Sequence, residues 1–236
     1  MSRVWINGER WVEVEDAEGV NVVHFTVDDK EIAVSGGQTI LEAVARMPGI
    51  GNIPALCYHP AVKPYGACRL CTVEVIEGSR SRFVVACLYP VTEGLVVKTN
   101  TERIRKLRKG IIELLIARCP NVKRIQELAE EYGVEKPRFA LGDQDCILCG
   151  LCVRACQEII GKSAISLVNR GIYREVAAPF YAYELGEDCI GCGDCAFVCP
   201  TGTIQMGPDG KPVLPKVKIP YPEIEAMMRR ETVATS

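Results

Sequence analysis

Hydrophobic and polar residues alternate along residues 22–27, the period-2 pattern of a half-buried strand. After a polar turn the alternation resumes at Ile32 and Val34, which predicts a second strand. Thr39 and Glu42 then form a capping-box sequence, so a helix should begin there and run to about Arg46. Further strands are predicted at residues 72–76, 83–86 and 95–98. Two strands, a helix and more strands indicate an α+β domain.

Hydrophobic residues at helical spacing follow over residues 101–133. One stripe runs from Ile104 to Leu115, and a second runs from Ile125 to Tyr132 with Gly133 as the stop. The first helix also carries a basic run: Arg103, Arg105, Lys106, Arg108 and Lys109. We expect a solvated face, with a docking surface for an acidic partner subunit as the alternative. Nucleic-acid binding is disfavoured because no aromatic residues interleave with the charges.

The C-terminal third contains two further patterns. Residues 166–168 and 172–176 read as a hairpin across 169–171. Prolines concentrate between 208 and 220, which predicts an extended arm, and residues 222–230 could form a short helix.

A cysteine motif, C-x2-C-x2-C-x3-C, occurs twice between Cys146 and Pro200. In two-cluster ferredoxins the fourth cysteine of such a motif, which we expect to open a helix, ligates the other cluster. The pattern therefore predicts two [4Fe–4S] clusters with exchanged fourth ligands. The Cys146 set comprises Cys146, Cys149, Cys152 and Cys199, and the Cys189 set comprises Cys156, Cys189, Cys192 and Cys195.

A third group of cysteines lies earlier in the chain. This N-terminal set comprises Cys57, Cys68, Cys71 and Cys87, spaced C-x10-C-x2-C-x15-C. Four thiolates can hold a [2Fe–2S] cluster, although the plant-type spacing is C-x4-C-x2-C. A zinc site is the alternative, but it would favour two C-x2-C units and only one is present. Small residues around Gly66 should let backbone N–H groups approach the cluster sulfurs. His59 could tune or ligate the centre, but four cysteines already suffice.

At these cysteines the chain resembles a known family. Residues 53–60 (IPALCYHP) and 66–75 (GACRLCTVEV) look like the β-grasp [2Fe–2S] domain of the large iron–sulfur subunit of respiratory NADH dehydrogenase. The same domain occurs in the small diaphorase subunit of NAD-linked hydrogenases and in [FeFe]-hydrogenases. The resemblance implies an N-terminal β-grasp [2Fe–2S] ferredoxin domain, a short helical linker and a C-terminal bacterial-type ferredoxin domain with two [4Fe–4S] clusters.

The sequence departs from that family after the first linker helix. Relatives commonly have a histidine and three cysteines there, which bind a further [4Fe–4S] cluster. This chain has residues 117–120 (ARCP) and none of the three cysteines. We therefore expect that cluster to be missing and Cys119 to be a small buried hydrophobe, with an unusual ligand role as the alternative.

Composition narrows the function classes. The 236 residues are 48% hydrophobic and 25% charged, with a formal net charge of −2, so no strong field favours nucleic acid. No apolar run reaches the ~18 residues of a membrane span. Most of the 13 cysteines fall in C-x2-C groups, which favours metal thiolates in a reducing, cytoplasmic location. Neither a dinucleotide-binding glycine motif nor a P-loop is present.

These observations predict five segments and one function. The segments are an N-terminal extension (1–21), the β-grasp domain (22–100), a helical linker (101–137), the dicluster domain (138–206) and a C-terminal arm (207–236). The resemblance implies an electron-transfer subunit that connects an NADH/flavin subunit to a hydrogenase catalytic subunit, with soluble ferredoxin as a further partner option. The alternatives are the same role in a formate dehydrogenase or another NAD-linked complex, or a stand-alone redox protein. We find no independent active site in the sequence.

Overall fold

The computed structural model describes residues 3–6, 10–13, 21–47, 49–138, 142–178 and 185–218. The chain divides into two compact units. The first unit contains residues 1–58 and 64–111, and the second contains residues 59–63 and 112–236.

A mixed sheet of seven strands forms the first unit. Its strands are β1 (Arg3–Ile6), β2 (Arg10–Glu13), β3 (Val22–Val27), β4 (Lys30–Ser35), β5 (Thr72–Glu77), β6 (Arg80–Val85) and β7 (Val96–Lys98). Their order is β2-β1-β4-β3-β7-β5-β6. The pairs β1–β4 and β3–β7 are parallel and the other neighbours are antiparallel. The N-terminal hairpin β1–β2 thus extends the sheet at one edge.

Helix α1 (Ile40–Ala45) covers the core of this unit. The predicted capping box is confirmed, because the N–H of Glu42 donates to Thr39 Oγ1 at 3.3 Å and the N–H of Thr39 donates to Glu42 Oε2 at 2.8 Å. The buried helix residues pack in one hydrophobic cluster with Phe25, Val73 and other strand residues. Burial of each such side chain contributes about 1.5–3 kcal/mol. The resulting arrangement is the predicted α+β, β-grasp type.

Helix α2 (Glu102–Arg118) confirms the predicted solvated face at Arg103, Arg105, Lys106 and Lys109, but not at Arg108. Its buried residues include Ile104, Arg108 and Ile112, four positions apart, whereas Leu114 is half exposed. Arg108 is therefore not solvated; its side chain lies inside the protein and its guanidinium contacts a main-chain oxygen. The hydrophobic stripe is rotated from its predicted position because this arginine takes a place in it.

The second unit has short elements around long connections. It contains α3 (Lys123–Glu131), α4 (Leu151–Arg154), α5 (Asp194–Phe197), β8 (Ser166–Val168), β9 (Glu175–Ala177), β10 (Gln205–Met206) and β11 (Pro212–Val213). Helix α3 ends before Gly133, whose φ of 66° fits the predicted stop. The hairpin β8–β9 is confirmed, but its second strand begins at Glu175. Ile172 instead lies half exposed in a 3₁₀ turn.

Residues 207–218 do not form the predicted extended arm. Strands β10 and β11 pair in a tight hairpin, and Leu214 is buried in the hydrophobic cluster of the second unit. The N–H of Lys218 donates to Gln144 Oε1 at 3.0 Å, and Gln144 Nε2 donates back to the Lys218 carbonyl. This part of the chain therefore packs on its own unit. The helix predicted at 222–230 lies outside the described residues.

Candidate iron–sulfur sites

The N-terminal set is assembled by the β5–β6 hairpin and the loop that precedes it. Cys71 directly precedes β5 and Cys87 follows β6. Antiparallel pairing sets Thr72 opposite Val85, which brings these two cysteines to the same end of the hairpin. The N–H of Ala86 donates to the carbonyl of Cys71 at 3.1 Å and closes that end. Cys57 and Cys68 come from the preceding loop.

All four thiols of this set interact. A hydrogen bond joins the thiols of Cys57 and Cys68. It raises the pKa of Cys57 and lowers the pKa of Cys68 to about 6. The corresponding bond between Cys71 and Cys87 lowers the pKa of Cys71 and raises that of Cys87. The pKa of Cys87 is also raised by the charges of Cys57 and Cys68. Thiols that share protons in this way can lose them to solvent when iron binds, and then hold the iron as thiolates.

The loop before Cys68 supplies main-chain donors to the sulfurs. The N–H of Cys68 points at Cys57 Sγ at 3.4 Å, and the N–H of Ala67 also lowers the pKa of Cys57. Gly66 has a φ of 70°, and a Cβ there would lie 2.6 Å from Leu88 Cδ1. The positive φ therefore favours glycine, whereas the exposed Leu88 side chain could move away from an added Cβ.

The structure brings Cys199 together with the first ferredoxin motif. Burial is the largest cause of the raised pKa of Cys146 and of Cys152, and the charge of Cys199 contributes to both. The charge of Cys149 also raises the pKa of Cys152. These are the members of the Cys146 set, so the four predicted partners are neighbours.

The Cys189 set surrounds a cavity in the second unit. All four of its thiols line the cavity, together with Ile160, Ile165 and Pro212. Burial raises the pKa of Cys195 to about 11, with further contributions from the charges of Cys192, Cys189 and Cys156. The exchange of Cys156 and Cys199 between the motifs thus agrees with both the cavity lining and the electrostatic contacts.

The two fourth cysteines do not open helices, contrary to the prediction. Cys156 lies in a π-helical turn (Ala155–Ile159) that follows α4, and Cys199 follows α5. The helices begin earlier because Gly150 and Gly193 adopt left-handed conformations, φ 70° and 82°, just before them. Each short helix therefore carries its third cysteine, and the fourth cysteine lies beyond its end. Single π-helical turns are frequent at functional sites.

The cover of the Cys189 set is incomplete. Ile190, which lines the cavity, is 60% exposed, and Phe197, in the short helix that carries Cys195, is 83% exposed. Cys192 is itself exposed. A cluster held here would therefore lie near the surface of its unit, where electrons can be exchanged over a short distance.

Two further candidates, Cys119 and His59, lie outside the three cysteine sets. Cys119 is fully buried, as predicted, and burial raises its pKa to about 12. The ring of His59 meets that of Phe197 edge-on at 6.5 Å, and His59 Nδ1 accepts a hydrogen bond from the N–H of Ala61. Within the described ranges, no three His, Cys, Asp or Glu side chains converge closely enough to hold a single metal ion.

Sequence reasoning missed two contacts to the cluster ligands. Arg118 Nε donates to the carbonyl of Cys146 at 3.0 Å, and Thr201 Oγ1 lies 3.4 Å from Cys199 Sγ. The only sequence signal was a hydroxyl residue two positions after the last cysteine. Only the Thr201 contact reaches a sulfur, and hydrogen bonds to ligand sulfurs tune iron–sulfur centres.

The comparisons with known proteins agree with this division. A family profile described as a 2Fe-2S iron-sulfur cluster binding domain matches residues 20–102, and a profile described as a 4Fe-4S dicluster domain matches residues 145–203. A chain in the crystal structure of NAD+-reducing [NiFe]-hydrogenase in the H2-reduced state is 32% identical, with a TM-score of 0.58. The match covers 66% of this chain and 75% of that chain. This chain belongs to the iron–sulfur subunit family of nicotinamide-linked oxidoreductases.

Curated members of this family are longer. One subunit of the NADH-quinone oxidoreductase of Rhizobium meliloti (strain 1021) is 31% identical over 214 residues. The alpha subunit of the NADPH-Fe(3+) oxidoreductase of Geobacter sulfurreducens (strain DL-1 / KN400) is 34% identical over 212 residues. Each match covers 79% of this chain but only 24% of the relative, so this chain spans about a quarter of their length.

Family membership confirms the predicted resemblance and the order of the domains, with a [2Fe–2S] domain followed by a [4Fe–4S] dicluster domain. The donor chemistry fits these groups, because each set offers four thiols. Over the described ranges, none of the helices has the length and apolar character needed to cross a membrane.

Proposed function

We propose that this chain is an electron-transfer subunit that holds one [2Fe–2S] and two [4Fe–4S] clusters. In the proposal, residues 22–100 carry the [2Fe–2S] cluster on the N-terminal set, and residues 138–206 carry the other two clusters on the Cys146 and Cys189 sets. The three groups of four neighbouring thiols carry this proposal. When bound, such clusters take up and release single electrons at potentials that their hydrogen bonds and burial set.

The proposed partners are an NADH/flavin subunit and a hydrogenase catalytic subunit. The match to a chain of NAD+-reducing [NiFe]-hydrogenase favours this assignment, because that match covers most of both chains. A role in another nicotinamide-linked complex, formate dehydrogenase included, is the second candidate. The similarity to a subunit of an NADPH-Fe(3+) oxidoreductase favours such a complex. In either case we infer that the chain connects redox partners and has no active site of its own.

The test begins with the complex purified anaerobically through a tag on this chain. We expect about ten irons per chain. We also expect both H2 and NADH to reduce the clusters, which EPR spectroscopy measures. Reduction by formate but not by H2 would instead support the second candidate. A chain that purifies alone and oxidises a substrate without partners would refute the subunit role.

Partial reactions then separate relay from catalysis. Cys87→Ser should abolish H2-dependent NAD+ reduction while H2- and NADH-dependent viologen reduction by the partner subunits persist. Cys119→Ser, a cysteine outside all three sets, is the matched control and should leave the coupled reaction unchanged. If Cys87→Ser lost both viologen reactions and Cys119→Ser kept them, this chain would contribute to catalysis.

A further inference from the structure

Two threonines connect Cys199 to the main chain before the first ferredoxin motif. Thr201 Oγ1 lies 3.4 Å from Cys199 Sγ and 2.9 Å from Thr203 Oγ1. Thr203 Oγ1 in turn donates to the carbonyl oxygen of Asp145. Three hydrogen-bonding contacts therefore run in series from a candidate cluster ligand to the residue that precedes Cys146.

These three contacts have only two protons to share. A threonine hydroxyl has a single proton, and a cysteine that binds iron is a thiolate and can only accept. The Asp145 carbonyl is also only an acceptor, so it takes the proton of Thr203. The Thr201 hydroxyl can then donate its proton either to Thr203 Oγ1 or to Cys199 Sγ. The contact with Thr203 Oγ1 is the shorter one, 2.9 Å against 3.4 Å, whereas added negative charge on Cys199 Sγ favours the contact with the sulfur.

We propose that the Thr201 hydroxyl is a redox-responsive donor, which points to Thr203 when the cluster on the Cys146 set is oxidised and turns to Cys199 Sγ when that cluster is reduced. This inference rests on the proposed ligation of that cluster by Cys199. The single electron would come from the reduced flavin of the proposed partner subunit, and the cluster held by the Cys146 set would accept it. The Thr201 O–H bond remains intact, and no proton is gained or lost.

The surroundings of Cys199 support a response at this sulfur. Burial by itself would raise the pKa of Cys199, but the Thr201 hydroxyl and the N–H groups of Ile204, Thr201 and Thr203 together lower it. Among the described residues no hydroxyl contributes to the pKa of Cys195 in the Cys189 set, and burial raises that pKa to about 11. Because the site is partly buried, a hydrogen bond to added negative charge is stronger there than in water. A donor that can turn would thus stabilise the reduced state selectively.

The two threonines should shift the potential in opposite directions. Thr201→Val removes the donor and preserves the shape, so the reduced-to-oxidised ratio at a fixed applied potential should fall about tenfold, which equals about 59 mV for one electron. In the oxidised state Thr203 accepts the hydrogen bond of Thr201 and stabilises that state. Thr203→Val removes this acceptor, so the reduced-to-oxidised ratio should rise. Thr201→Ser keeps the hydroxyl and should stay near the wild-type value.

The experiment is an EPR-monitored redox titration of the full chain with all three clusters loaded. Only one of the two [4Fe–4S] midpoint potentials should move, and Thr92→Val, at an exposed threonine of the other unit, should move neither. In the reduced protein, proton ENDOR should show an exchangeable proton that Thr201→Val removes. Iron content of each variant, measured first, separates a failure of cluster loading from a failure of this inference.

A fixed donor makes a different prediction. If Thr203 only holds Thr201 in place, Thr203→Val should lower the ratio or leave it unchanged, and either result would overturn the redox-responsive donor. An unchanged ratio in Thr201→Val would overturn it as well. If Thr201→Val does not load its cluster, Thr203→Val decides the question alone.

Discussion

Arg108 donates a hydrogen bond from Nη2 to the carbonyl oxygen of Thr72 at 3.0 Å, one residue after the candidate ligand Cys71. The arginine is only 1% exposed, and its Nε has no hydrogen-bond partner among the described residues. Arginine remains charged in proteins, and a buried charge is costly unless an opposite charge compensates it. A [2Fe–2S] cluster with four thiolates would provide such negative charge beside Thr72.

Arg108 should therefore raise the potential of the [2Fe–2S] cluster. Replacement by methionine keeps much of the buried volume but removes the charge, so we expect the midpoint potential to fall by an amount on the order of tens of millivolts. Arg108→Lys should lower it less. The control is Arg105→Met, at an exposed position of the same helix. An equal or higher potential in Arg108→Met, measured by EPR titration, would contradict this role.

Cross-ligation can be tested by combining cysteine substitutions. Cys192→Ala should remove the cluster on the Cys189 set and lower the iron content from about ten to about six per chain. Adding Cys156→Ser in this background should remove no further iron, because Cys156 belongs to the cluster already lost. Adding Cys199→Ser instead should lower the content to about two irons. Iron and sulfide analysis measures each step.

The reverse result defines the alternative. If each motif holds its own cluster, Cys192→Ala with Cys156→Ser would lose both [4Fe–4S] clusters, and Cys192→Ala with Cys199→Ser would lose only one. The [2Fe–2S] signal should persist in every variant and serves as the internal control for folding.

The cysteine sets can be proposed from the sequence because the ferredoxin motif is local. Its short spacings force three sulfurs of each motif around one centre, and the known exchange of the fourth ligand then assigns Cys156 and Cys199. The capping box at Thr39 is predictable for the same reason, since both of its hydrogen bonds lie within four residues. The swapped ligation itself stays a prediction until iron is measured.

Long-range partners explain what the sequence did not reveal. Arg108 reads as a solvated charge because its acceptor, Thr72, lies on a strand far earlier in the chain. The proline-rich segment reads as an extended arm because neither the buried site of Leu214 nor the contact of Lys218 with Gln144 is visible locally. In both cases tertiary contacts determine the environment of a residue whose local pattern indicates exposure.

The pair formed by Gln144 and Lys218 should hold the C-terminal segment against the lead-in to Cys146. Gln144 is buried and its amide satisfies both main-chain groups of Lys218. Gln144→Ala removes both bonds at a cost of about 1–3 kcal/mol. Amide hydrogen exchange of residues 214–218 should therefore become faster, with little change in β3.

The matched control is Gln126→Ala, because Gln126 Nε2 donates to the Pro120 carbonyl at an exposed site. It should leave exchange of residues 214–218 unchanged. Equal exchange in Gln144→Ala and the wild type would show that the packing of Leu214 alone holds the segment.

Cys119 should be chemically inert and dispensable for cluster binding. It is fully buried, and burial raises its pKa to about 12, so the thiol stays protonated near neutral pH. Because the thiolate is the reactive form, iodoacetamide should leave Cys119 unmodified in the loaded native protein and should label it after unfolding with a chelator. Peptide mass spectrometry measures both states.

Cys119→Ala should retain about ten irons per chain, since the twelve other cysteines suffice. A loss of iron in this variant, or about fourteen irons per chain in the wild type, would contradict this prediction. Either result would mean that Cys119 is a ligand of a cluster.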